Sequence, residues 1–415
     1  MLKKLSGNIL IYGGTNAIKS LAPFLMLPIL TTYLTISDYG LLSLVEVSIL
    51  FLAPFITLNI NSAINIEYFK SSKTNLKDYI SNALILSFLA MCIIFILLIF
   101  SKGTISQSLH LPFDLILWLP IFAFLRVISS IVLGLYQVSD QPKKFAIFTI
   151  FQTLIDLLLS YVLVVFYTHG YIGRLEGIYG TLFISSIVGI YILYKLGYLS
   201  NVIHFKYSKN ILTYGVPLIP HVLGGVILAM SDRYFLSYFF GNEEVGYYSV
   251  AYQISGLMLL VSVAANQAWT PMLFRFLQNF KENEFTIYRY SIYLSISFLF
   301  SGICIYFVSD FIFYLLVDEK FFQAKAYFPY LLIGFIFQSF YLIFTNYLFY
   351  EGKTVLLAKL TFFSAIINLI LNYILILQYG AIGVAYATAI TYIIHFLTVS
   401  YIVTFMIRKK MVIKI

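Results

Sequence analysis

Eight ionisable side chains sit where a chain this apolar can least accommodate them. Lys19, Glu46, Arg126, Asp156, Asp232 and Arg233, with His221 and His395, all fall inside long hydrophobic runs. A charge at mid-bilayer costs about 2.5–3.5 kcal/mol on insertion scales, so such residues are expected to bind a ligand or one another. The cations suit a phosphate group, lysine as a point charge and arginine as a two-pronged donor. Lys19, Arg126, His221 and Arg233 are therefore the candidate substrate-binding cations. Glu46, Asp156 and Asp232 are candidates for ion coupling, by taking up H+ or Na+, or for charge pairing. Structural readings stand beside these. Arg126 and Asp156 can form an ion pair between neighbouring helices. Asp232 and Arg233 are adjacent and point about 100° apart on a helix, so one can face a ligand while the other caps an interface. His395 reads as a hydrogen-bonded packing histidine. Lys19 is too central in its run to snorkel easily to either face.

The elements that must position these residues are membrane helices. The chain has 415 residues, 61% of them apolar and only 10% charged. Soluble domains carry about 25% charged residues, so a soluble enzyme is excluded, and so is a disordered chain. At roughly 20 apolar residues per crossing, the composition suffices for about twelve helices. Twelve runs are expected, at 8–33, 39–64, 80–100, 114–138, 145–167, 177–196, 210–240, 245–274, 287–309, 327–350, 354–378 and 381–407. They are continuous rather than alternating, which favours helices over barrel strands. With the N-terminus inside, 19 of the 26 Lys and Arg fall in inner segments and 4 in outer ones, Arg174 among the outer four. That asymmetry predicts that both termini are cytoplasmic and that the net charge of +9 reflects topology, not nucleic-acid binding.

The two halves resemble each other. Asn8–Gly13 matches Asn210–Gly215, Asp38–Ser43 matches Glu244–Ser249, Pro120 matches Pro329, and Ile155–Tyr161 matches Ile367–Tyr373. The offsets run only from 202 to 212. Six helices return the chain to its starting side, so the repeats are parallel. The expected fold is all-α and integral to the membrane: twelve transmembrane helices in two parallel six-helix lobes, 1–206 and 207–415, around a central cleft that opens alternately to each side. Under the first offset His221 is the counterpart of Lys19. Pro23 and Pro28 in the first run and Pro217 and Pro220 in the seventh mark paired, interrupted helices suited to gating, with simple kinks as the plainer reading.

Enzyme signatures are absent. There is no P-loop, no nucleophile elbow and no Cys/His metal spacing, so neither a cofactor nor a metal is expected. Cys92 and Cys304 both lie in apolar runs and suggest no disulfide framework. Lys3 and Lys4 are not followed by a small-residue cleavage site, so no cleaved leader is expected. No connection is long enough for a soluble catalytic head.

Three stretches carry a family resemblance: Tyr214-Gly215-Val216-Pro217-Leu218-Ile219-Pro220-His221, Ser231-Asp232-Arg233-Tyr234, and Glu244-Val245-Gly246-Tyr247-Tyr248-Ser249. With the Asn16 to Pro28 helix and a six-plus-six layout, the chain resembles the Wzx-type polysaccharide flippases. Their superfamily also holds the MATE drug exporters and the lipid II flippases. The resemblance implies translocation of an undecaprenyl-diphosphate-linked oligosaccharide, such as an O-antigen repeat unit, from the cytoplasmic to the outer leaflet of a bacterial inner membrane. It implies a cationic cavity, here supplied by Lys19, Arg126 and Arg233, and a polysaccharide polymerase as a possible partner. The alternatives are a MATE-like ion-coupled exporter of small cations, using Glu46 or Asp156 as the binding acid, and a non-transporting scaffold.

Overall fold

The computed structural model describes residues 2–70 and 73–413, without the side chains of 2–10, 73, 74, 281 and 408–413. Of the expected inner-face cations, Lys414 and the side chains of Lys3, Lys4, Lys73, Lys281, Arg408, Lys409 and Lys410 lie outside the described residues.

Among the described residues the chain is helical. In order, the helices are α1 (Leu2–Tyr33), α2 (Ile36–Thr57), α3 (Ile60–Lys70), α4 (Lys73–Leu109), α5 (Phe113–Val138), α6 (Pro142–Tyr161), α7 (Gly170–Lys195) and α8 (Phe205–Gly215). They continue with α9 (Ile219–Met230), α10 (Asp232–Phe240), α11 (Asn242–Ser255), α12 (Leu257–Gln278), α13 (Phe280–Leu316), α14 (Phe328–Tyr350), α15 (Thr354–Tyr379) and α16 (Gly383–Ile413). Among the described residues, ten stretches are long and apolar enough to cross a membrane, which makes this a multi-pass integral membrane protein. Ten is not the twelve expected. One apolar stretch, 354–407, folds as the two helices α15 and α16, and α1 is not among the ten.

Contacts divide the chain into two compact units. Unit 1 is Met1–Leu223 with Gly241–Val245, and unit 2 is Gly224–Phe240 with Gly246–Ile415. Residues 207–223 therefore pack with the first unit rather than the second. Each unit has its own apolar core. In unit 1 Ile64, Ile80, Val127, Ile131 and Leu135 are buried together; in unit 2 Trp269, Leu273, Leu348, Val399 and Val403 are.

The two units share a packing pattern. In unit 1, α5 packs on α4 and α7, and α6 on α7. In unit 2, α14 packs on α13 and α16, and α15 on α16. The helices α4 and α13 are each 37 residues long. Each buries only 17% of its most apolar window, so both are peripheral helices with broad lipid-facing surfaces. Phe100 and Phe307 stand almost fully exposed on them, which hydrocarbon accommodates and water would not.

Local chemistry explains the helix breaks. Thr35 and Asp38 cap α2 reciprocally, side chain to backbone in both directions. At its other end Leu58 and Asn59 turn left-handed, with φ of 48° and 50°. This turn is held by Asn59 Nδ2, which donates to the Gly215 carbonyl at 3.1 Å. A side chain at 215 would overlap the Leu58 carbonyl oxygen, so glycine is required for this approach. The expected run 210–240 is broken twice, by a 3₁₀ turn at Val216–Leu218 and again at Ser231. Pro217 and Pro220 remove two donors within one turn, which a helix does not bridge. The matching interruption in the first run is not seen: α1 continues as one helix through Pro23 and Pro28. Those prolines are five residues apart, so each turn loses a single donor.

Candidate functional site

Among the described residues, each unit holds a charged cluster within its helices. In unit 1 the cluster joins α1, α2, α5, α6 and α7. Arg126 Nη2 donates to Glu46 Oε2 at 2.8 Å. The Tyr179 hydroxyl donates to the other carboxylate oxygen at 3.0 Å, and its ring stacks on Phe122 with centroids 3.4 Å apart. Aromatic stacking thus fixes the tyrosine that orients the acid. Both members of the Glu46–Arg126 pair keep about 30% of their side-chain surface accessible. Lys19 is exposed on α1, within electrostatic reach of Arg126.

A second pair lies beside the first. Arg174 grips Asp156 with both guanidinium nitrogens, at 2.7 and 3.3 Å, and its Nη1 also donates to Ser160 Oγ. Ser160 in turn donates to Asp156 Oδ1 at 3.3 Å. Gly177, one turn beyond Arg174, makes this possible. A Cβ there would fall 2.7 Å from the Ser160 Cα, so α6 and α7 meet backbone to backbone. Helix α7 serves both pairs, with Tyr179 on Glu46 and Arg174 on Asp156.

These pairings correct two expectations. The Arg126–Asp156 pair does not form, because Asp156 is taken by Arg174 and Arg126 by Glu46. Arg174 is not an outer-loop cation. It lies in α7 with only 11% of its side chain accessible. The signal that could have revealed it is Gly173-Arg174-Leu175-Glu176-Gly177, a small-xxx-small spacing that lets membrane helices approach closely. With Arg174 included, the cluster sets three cations, Lys19, Arg126 and Arg174, against two carboxylates, Glu46 and Asp156.

The cluster in unit 2 is of a different kind. Asp232 is fully buried and is held by neutral donors. Asn372 Nδ2 donates to Oδ1 at 2.7 Å, and Thr388 Oγ1 donates to Oδ2 at 2.5 Å, as does the Tyr248 hydroxyl. Ser231 donates to Asn368 Oδ1 at 2.8 Å, and Asn368 reaches Thr391 at 3.4 Å. Four helices, α10, α11, α15 and α16, meet here. Arg233, also buried, lies over the rings of Tyr252 and Tyr248, at 4.4 and 5.6 Å from their centroids. Adjacent Asp232 and Arg233 do point to different surroundings, as helix geometry requires.

Two histidines behave differently from each other. His221 is exposed on α9, and no hydrogen bond joins it to Lys19 or Arg126 among the described residues. His395 is 1% exposed and packs on the Tyr341 ring at 4.3 Å. The hydrogen bond expected of it is absent, since neither ring nitrogen has a partner among the described residues. No group of three or more His, Cys, Asp or Glu that could hold a metal ion is found there either.

A helical membrane protein with charge clusters inside its spans has the architecture of a transporter. Residues 5–277 match the family described as Polysaccharide biosynthesis protein, and the chain belongs to that family. Residues 217–374 also match the MatE family. The chain is 22% identical over 353 residues to protein 1 of the Lsg locus of Haemophilus influenzae, covering 84% of this chain and 85% of that one. It is 26% identical over 196 residues to a protein named "Probable low-salt glycan biosynthesis flippase Agl15" of Haloferax volcanii, covering 46% of this chain and 41% of that one. Its fold is that of an inward-facing multidrug resistance MATE family transporter of the MOP superfamily, with a TM-score of 0.71 at 16% identity, covering 94% of this chain and 98% of that one.

Proposed function

We propose that the protein is a flippase for a lipid-linked oligosaccharide, moving an undecaprenyl-diphosphate-bound repeat unit from the cytoplasmic to the outer leaflet of a bacterial inner membrane. The observation that carries this reading is the unit 1 cluster. It offers accessible cations, Lys19 and Arg126, on the helices of a polysaccharide biosynthesis family member. A diphosphate is the anionic part common to such substrates, and a lysine beside an arginine combines a point charge with a planar donor fork. His221 and Arg233 are proposed as further contacts. The flippase named among the relatives supports the same class.

Coupling is proposed to reside in the carboxylates, Asp232 above all. A buried carboxylate held by two hydroxyls and an amide N–H can take up a proton, or bind Na+ with the hydroxyl oxygens as further ligands. Glu46 and Asp156 are the secondary candidates. Transport is proposed to proceed by alternating access, with the 3₁₀ turn around Pro217 and Pro220, and the prolines of α1, Pro23 and Pro28, as bending points. If α1 crosses the membrane and 354–407 crosses twice, the ten apolar stretches become the twelve spans of two six-helix lobes, with both termini cytoplasmic. A polysaccharide polymerase is the proposed downstream partner.

The test is complementation of a strain lacking its repeat-unit flippase. Lys19→Ala and Arg126→Ala are expected to abolish surface polysaccharide while reaching the membrane in normal amount. Full activity of both would overturn the cation assignment. The MATE-like fold favours a second reading, ion-coupled export of small cations. Drug accumulation separates the two, because a flippase confers no resistance.

A further inference from the structure

Away from both polar clusters, unit 2 carries a cavity of about 660 Å3 between α13, α14 and α16. Its size is that of a small-molecule site. Its wall is largely aromatic and aliphatic, with Phe285 and Tyr288 from α13, Phe344 from α14 and Ile407 from α16. At its α13 end the lining changes character. Glu282 and Glu284 both face it, both are exposed, and neither has an ion-pair partner among the described residues. Glu282 suits the first turn of its helix, where the dipole favours an acid; Glu284 has no such reason to be there. Arg289 lies one turn further along, its guanidinium 5.9 Å from the centre of the Phe285 ring.

The groove thus presents an apolar wall, two carboxylates at its end and a guanidinium beside it. It sits on α13, whose most apolar window is only 17% buried by protein. We infer that this groove is a binding site for a zwitterionic phospholipid with a primary amine headgroup, of the phosphatidylethanolamine class. An acyl chain fills the aromatic wall, the ammonium donates to Glu282 and Glu284, and the phosphate meets Arg289. Charge complementarity selects this occupant over others in the membrane. An anionic phospholipid brings no cation for the carboxylates. The diphosphate carrier proposed as substrate would bring like charge against them.

The experiment uses the full-length protein in detergent, titrated with dioleoylphosphatidylethanolamine or dioleoylphosphatidylglycerol, with retained lipid counted by native mass spectrometry. The wild type is expected to retain the amine lipid about fivefold better, a ratio of the size that one or two partly exposed ion pairs supply. The double variant Glu282→Gln/Glu284→Gln is expected to bind the two lipids equally. Ser295→Trp, which fills the groove from within, is expected to lose the amine lipid while leaving the carboxylates in place. Thermal unfolding without lipid serves as the folding control for each variant. Equal retention of both lipids by the wild type overturns the inference. So does unchanged preference in the folded double variant, or displacement of the amine lipid by equimolar undecaprenyl phosphate.

Discussion

One turn of one helix occurs twice in this chain and has been put to two uses. In the repeat, Asp156 and Ser160 on α6 correspond to Asn368 and Asn372 on α15. In unit 1 that turn supplies an acid, and the adjacent helix α7 answers with Arg174. In unit 2 the same turn supplies two amides, and the acid has moved to Asp232 on α10. Unit 1 therefore matches charge with charge, at sites that keep between a tenth and a third of their side-chain surface accessible. Unit 2 surrounds a single buried carboxylate with neutral donors. The first arrangement leaves cations able to exchange a carboxylate for an anionic ligand. The second desolvates an acid fully and hydrogen-bonds it through neutral donors, with the buried Arg233 adjacent, an arrangement we propose responds to a small cation. On the proposed function, this divides a repeated scaffold between anion handling and ion handling.

The largest expected effect falls on the unit 1 pair. Arg126→Ala should lower flipping in proteoliposomes by at least about a hundredfold, which corresponds to ~2.7 kcal/mol of transition-state stabilisation. The double variant Glu46→Gln/Arg126→Gln removes the pair without leaving a lone charge. If the pair were only structural, the double variant would recover transport together with stability. The comparison drawn above requires it to remain inactive though stably folded. Next comes Asp232→Asn, which keeps the shape of the side chain and removes its charge. Transport should fall about tenfold and lose its dependence on the proton or sodium gradient, a step of ~1.4 kcal/mol. Persistent ion dependence in that variant would move coupling back to Glu46 or Asp156.

The sequence made some of this visible and hid the rest for physical reasons. Composition disclosed a helical membrane protein, since a charge content of 10% leaves no alternative. The repeat emerged from residues such as Asp156 and Asn368 because apolar helices leave few polar positions to align. The partners stayed hidden. Which cation meets Asp156 depends on the rotation and depth of α7, and a hydropathy boundary at 177 left Arg174 outside its own helix. Tyr248, Thr388 and Asn372 looked like ordinary polar or aromatic fillers. Nothing local to any of them announces that four helices bring them to one carboxylate. The first break of the seventh run was foreshadowed by Pro217 and Pro220, the second at Ser231 was not, and Pro23 and Pro28 bend nothing enough to end α1.

A smaller effect tests how the charged cluster is positioned. Gly177→Ala adds one methyl group against the Ser160 backbone, where neither helix has room to yield. Overpacking of this kind costs about 1–3 kcal/mol. The lowered thermal midpoint should be accompanied by loss of the Asp156–Arg174 contact. Charge reversal across that contact, as Asp156→Arg/Arg174→Asp, should keep the midpoint near the wild type if pairing is what matters. In unit 2 no equivalent swap can work, because Asp232 faces hydroxyls and an amide rather than a guanidinium.

The smallest effect concerns His395, a polar group that lies outside the Asp232 network of unit 2. Its ring lies in the apolar surroundings of Tyr341, with both nitrogens buried and unpartnered among the described residues. An unsatisfied buried polar atom costs about 1–3 kcal/mol, and replacing it by an apolar group of like shape is often neutral or stabilising. His395→Phe keeps the stacked ring and removes both nitrogens, at the expense of slight overpacking. The two terms oppose each other, so the thermal midpoint should stay within the equivalent of ~1 kcal/mol of the wild type, with transport intact. A fall of several degrees would mean that the imidazole is bridged to its neighbours through ordered water. Loss of transport at unchanged stability would mean more: that unit 2 handles its ion through two groups, Asp232 and His395, and that the single-carboxylate side of the comparison is wrong.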